Sequence, residues 1–77
     1  MLILKNIVKE GNLMSATVLI MDGTDRTFEI TADAETEEIL VNTLGKMNSY
    51  VAQARHKLIT LYESGKKIPK EVEVVWC

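Results

Sequence analysis

Very little in this chain suits cross-linking or soft-metal chemistry. Its only cysteine is the final residue, Cys77, and its only histidine is His56. An internal disulfide cannot form, and one thiol with one imidazole falls short of the three or four ligands a zinc site requires. Proline occurs once, at Pro69, and the four glycines fall at element boundaries, so no linker divides the 77 residues. They read as one small domain, residues 1–77, without repeats or low-complexity segments. Long apolar runs are missing as well. The opening "MLIL" is interrupted by Lys5, far short of the roughly 20 residues that span a bilayer and too short for a signal-peptide core. These features predict a cytoplasmic chain with no membrane contact. A basic excess is also lacking: nine Lys and Arg against eleven Asp and Glu give a net charge of −2, below the balance of typical nucleic-acid modules. No glycine-rich phosphate loop, recognition-helix motif or RNA-binding aromatic signature is present.

What is present is the composition of a folded domain, 47% apolar and 26% charged. The pattern along the chain predicts an α+β fold in the order β-β-β-α-β. Residues 2–9 ("LILKNIVK") read as a first strand, "EGN" at 10–12 as a turn, and residues 13–21 ("LMSATVLIM") as a second strand. Asp22-Gly23 suits a two-residue hairpin loop, after which residues 24–31 ("TDRTFEIT") complete a three-stranded antiparallel meander. In the third strand Phe28 and Ile30 alternate with Thr27, Glu29 and Thr31, one face inward and one outward. The second strand is apolar on both faces, since Leu19 and Met21 oppose Met14, Ala16, Val18 and Ile20. Part of its outer face is therefore expected to be covered.

Asp33 is positioned as an N-cap before an acid-rich first turn, and Leu40, Leu44, Met47, Val51, Ala54, Leu58 and Leu61 recur at alternating spacings of four and three. This predicts one long helix over residues 34–64, closed by Gly65 at the C′ position. Thirty residues of helix extend about 45 Å against about 27 Å for an eight-residue strand. The rod must overhang the sheet or break, and Gly45 is its weakest point. Residues 70–76 ("KEVEVVW") then form a last strand, expected beside the first and parallel to it.

The stretch that most looks like chemistry is "MDGTDR", residues 21–26. It resembles part of the Asp-x-Asp-Gly-Thr loop of haloacid-dehalogenase-like phosphatases, but Ile20 stands where that loop has its nucleophile. An Asp-Gly turn explains the same letters. The acids between Asp22 and Asp33 lie between strands rather than helices, unlike an EF-hand loop. His56 falls on the polar side of the helix beside Arg55 and Lys57, with no serine or cysteine placed near it, and Cys77 is terminal. The sequence thus predicts no catalytic residue, cofactor or metal, and no enzyme.

The remaining signals concern partners. Val41, Ala52 and Ile59 would form a second apolar edge on the long helix, and with Leu19 and Met21 on the sheet they make the expected partner interface. Residues 1–45 hold eight acids and three bases, residues 46–77 three acids and six bases. That asymmetry favours an antiparallel homodimer of helices, oriented by charge and held by apolar contact. The leading expectation is a small interaction or accessory protein that self-associates. The alternative is a nucleic-acid-binding regulator using Arg55, Lys57, Lys66, Lys67 and Lys70. A third reading, a small-molecule role, needs a pocket between sheet and helix near Trp76 and Gly45.

Overall fold

The computed structural model describes residues 1–75. Five strands and one helix follow one another as β1 (Leu2–Glu10), β2 (Leu13–Ile20), β3 (Arg26–Asp33), β4 (Ile39–Asn42), α1 (Ser49–Glu63) and β5 (Glu71–Val74). The strands form one sheet in the order β4-β3-β2-β1-β5, with every neighbouring pair antiparallel. The expected class holds: an α+β fold with a meander, a helix packed on the sheet and a C-terminal strand beside the first.

Alternation decides the faces. Met14, Ala16, Val18 and Ile20 of β2 are buried together with Phe28, Ile30 and Ala32 of β3, whereas Leu13, Ser15, Thr17 and Leu19 point the other way and are half-buried. In β1 the alternation is broken by a bulge. The register passes from Lys5 opposite Thr17 to Val8 opposite Ser15, so Asn6 and Ile7 together oppose one residue. Asn6 takes φ +52°, a left-handed conformation that asparagine tolerates better than most residues. The extra residue keeps Leu2, Leu4 and Ile7 on the buried face and leaves Ile3, Lys5 and Val8 on the other.

Helix α1 covers the inner face only. Val51, Ala54, Leu58 and Ile59 are buried against the sheet, so the apolar side is a single wide stripe. Asn48 caps its start, the side-chain oxygen accepting from the Val51 N–H at 3.1 Å. At the other end Ser64 donates its N–H to the Thr60 carbonyl and Gly65 follows at φ +69°, as a C′ glycine should. No polar or charged residue is buried among the described residues. No helix among them is long and apolar enough to cross a membrane.

The helix does not extend from residue 34. Asp33 instead organises a turn: its carboxylate accepts from the N–H groups of Glu35 (2.9 Å) and Thr36 (3.1 Å). Its own N–H donates to the Glu38 carbonyl at 2.8 Å, closing a hairpin into β4. There Ile39 pairs with Ala32 and Val41 with Thr31, an irregularity falling between them. Pairing satisfies backbone groups on the edge of β3 that a helix would have left to water. In the first half of the expected stripe Leu40 is 49% and Met47 59% exposed, and Leu44 is half-buried from outside any helix. Gly45 sits at φ +81°, outside any helix, and Asn42 braces the turn by accepting from the Leu44 N–H and donating to the Lys46 carbonyl. The mismatch between rod and strand is resolved by this break.

Because β4 adds one reversal, β5 runs antiparallel to β1 rather than parallel to it, pairing Val74 with Leu2 and Glu71 with Lys5. The β2–β3 connection also differs from the expected two-residue loop. Ile20 pairs with Arg26, leaving a five-residue loop over 21–25 with Asp25 at φ +52°. Trp76 and Cys77, assigned to the last strand and its end, lie outside the described residues.

Candidate functional site

The polar groups that suggested chemistry are occupied with holding turns. In the 21–25 loop Asp22 accepts from both the hydroxyl and the N–H of Thr24, from the Arg26 guanidinium at 3.3 Å and from the Tyr50 hydroxyl at 3.3 Å. The Thr24 hydroxyl, then the Thr24 N–H, and more weakly Arg26 and Tyr50, draw its carboxyl down to about 2. Asp33 is likewise lowered, by the Thr36 N–H first, then by the Asn12 amide at 2.8 Å and the Glu35 N–H. Tyr62 donates to Glu35 at 3.4 Å and has Lys9 5.2 Å from its ring centre; desolvation, then the Glu35 charge, raises its hydroxyl. Tyr50 and Tyr62 thus tie the two ends of α1 to loops at opposite ends of the sheet. Among the described residues there is no cleft between sheet and helix and no cluster of three metal-ligating side chains.

The basic residues do not share one surface. Arg55 and Lys57 stand two positions apart on α1 and so diverge by about 160° around its axis. Lys66, Lys67 and Lys70 are exposed on the α1–β5 connection. His56 is exposed on the outer side of the helix.

The expected helix edge also dissolves. Ile59 is buried in the core and Ala52 flanks it, while Val41 is on β4, a different element. Leu19 and Val41 do share one face of the sheet, the one that α1 leaves open, though two strands and two rows apart, and Met21 stands in the loop beyond it. Val41 lies opposite Thr31 on that face, and Leu19 lies there between Ile3 and Thr27. Met21, whose N–H donates to the Met1 carbonyl at 3.0 Å, continues the strand beyond Ile20 and is 40% exposed.

Cross-strand pairing arranges this open face in rows. One row runs Glu73, Ile3, Leu19, Thr27; the next runs Glu71, Lys5, Thr17, Glu29; a third runs Val8, Ser15, Thr31, Val41. The first and third carry the apolar side chains, with Val8 49% and Val41 43% exposed. Between them lies a polar row in which Thr17 donates to Glu29 at 2.8 Å. Nothing in the described chain covers these rows, since the only helix is on the opposite side. Val8 escaped sequence reasoning because the Asn6 bulge, which sets its direction, leaves no periodic signal, whereas Ile3 and Lys5 follow the ordinary alternation with Leu2 and Leu4. Comparison with family profiles, with characterised proteins and with solved structures finds no match for this chain.

Proposed function

We propose that this chain is a small cytoplasmic interaction or accessory protein, not a catalyst, and that the open face of its sheet is the surface that meets a protein partner. One observation carries the reading: among the described residues a five-stranded sheet buries one face under α1 and leaves the other uncovered, with Ile3, Val8, Leu19 and Val41 set among threonines. A sheet side chosen only for water would alternate into charged residues. Here the outward positions of β2 are Leu13, Ser15, Thr17 and Leu19, none of them charged. Mixed apolar and hydroxyl surfaces of this kind suit contact that is intermittently wet and dry. The aspartates most suggestive of catalysis are engaged in their own turns, which supports a binding role.

Photo-crosslinking tests the surface without presupposing the partner. A crosslinker replacing Thr31 on the open face is expected to yield adducts of discrete mass in cells, whereas one replacing His56 on the outer side of α1 yields none. Adducts from position 56 alone, or from neither position, would overturn the reading.

A further inference from the structure

We infer that the partner on the open face is a second copy of this chain, packed sheet to sheet about a two-fold axis running along β2. The inference rests on the reading of that face as the interaction surface and names what covers it. Its support is the charge order of the central row. Lys5 and Glu29 flank Thr17 on either side, one strand away in each direction. Rotation by half a turn about the β2 direction carries β1 onto β3 of the other copy. Lys5 then faces Glu29 of the partner subunit, and Glu29 faces Lys5 of the partner subunit. Leu19 meets its own symmetry mate on the axis, as a self-complementary two-fold contact demands.

The geometry tolerates the twist of real sheets. Facing sheets pack about 10 Å apart at about 30° to one another, which displaces a residue one strand from the axis by only about 2.4 Å. Lysine and glutamate side chains span such a gap. The carboxylate of Glu29 is already drawn toward β2 by the Thr17 hydroxyl, on the side where the axis passes. Lys5 is half-buried on this face beside its cross-strand neighbour Glu71, and the sole ion pair among the described residues is Asp22 with Arg26, so neither Lys5 nor Glu29 is held in an ion pair within its own chain. Three strands of eight or nine residues and two of four give a face of roughly 520 Å² in flat projection. That is on the scale of the roughly 800 Å² of accessible surface each partner contributes to a standard interface.

The test is a pair of charge reversals read by light scattering and sedimentation. The wild-type chain is expected to be a dimer at micromolar concentration. Lys5→Glu alone sets acids against acids at both contacts, and Glu29→Lys alone sets bases against bases, so each is expected to dissociate at least ten-fold more readily. Mixed together, the two variants match every acid with a base and are expected to form a heterodimer, which also shows that both fold. A wild-type monomer at 100-fold higher concentration would sink the self-association while leaving the open face to another partner, as crosslinks from Thr31 to a different mass would show. A dimer indifferent to both reversals, or one broken by changes on α1 instead, would overturn the two-fold packing; silence at Thr31 as well would remove the face itself.

Discussion

Four donors converge on the Asp22 carboxylate: the Thr24 hydroxyl and N–H, the Arg26 guanidinium and the Tyr50 hydroxyl. All of them favour the anion, which is why its pKa falls from the ordinary 3.8 to about 2. A carboxyl whose folded pKa is depressed stabilises the fold above its unfolded value and loses that contribution as pH falls through the folded one. The Asp22 contribution is therefore full above pH 3.8 and fades as the pH approaches about 2. Asp22→Asn removes the anion but keeps the side-chain shape. In urea titrations the stability gap between wild type and this variant is expected to narrow between those two pH values. A gap that stays constant would assign the loop's stability to shape alone. Asp33 is lowered too, but it is common to both proteins and cancels in the difference. The residue types at Asp22 and Thr24 were enough to read this loop as a turn from sequence. The identity of Tyr50 as its long-range brace was not legible, because it stands 28 positions away.

At the level of elements, the reading succeeded wherever local pattern and tertiary pairing agreed. The alternation in β2 and β3, the helical stripe from Val51 to Leu61 and the Gly65 terminus all have local causes. It failed between residues 34 and 48, where Leu40, Leu44 and Met47 fall at helical spacing although Ile39, Val41 and Asn42 pair with β3. Periodicity cannot register a partner strand, and the bulge beside Leu40 disguised the strand further. The better local signal was Gly45 followed by Asn48, a left-handed glycine and then a cap. The sign of one substitution separates the two architectures. In a continuous helix Gly45→Ala would stabilise by about 1 kcal/mol. At φ +81°, with nothing within 4 Å of a new Cβ, strain alone is expected to destabilise by about 1 kcal/mol. The shift of the urea midpoint shows which. Asn48→Ala should cost about 1 kcal/mol on the same measurement, by freeing the Val51 N–H. Leu58→Ala, fully buried beneath α1, should cost about 2–5 kcal/mol.

The described residues supply one helix for two sheet faces, and this imbalance bears on stability as much as on the partner. A chain of 77 residues buries only roughly 60% of its unfolded surface when it folds alone. Covering the open face with a second copy adds burial to a domain otherwise short of it. That an outer apolar surface exists was legible from Leu19 and Met21, whereas its extension through Val8 and Val41 depends on a bulge and on a strand that sequence pattern does not reveal. If folding is linked to dimerisation, the melting temperature must depend on protein concentration. A ten-fold rise in concentration stabilises the dimer by about 1.4 kcal/mol, or about 0.7 kcal/mol per chain. For a domain of this size that corresponds to a rise of roughly 3–6 °C. Calorimetry of the wild type over a hundred-fold range should show twice this increment. The Lys5→Glu variant, measured where it is monomeric, should melt at one temperature throughout, because unfolding then changes no number of particles. Equal concentration dependence in both proteins would place the stabilising contact away from Lys5, and a flat wild-type curve would mean that the single copy carries its whole stability within the core beneath α1.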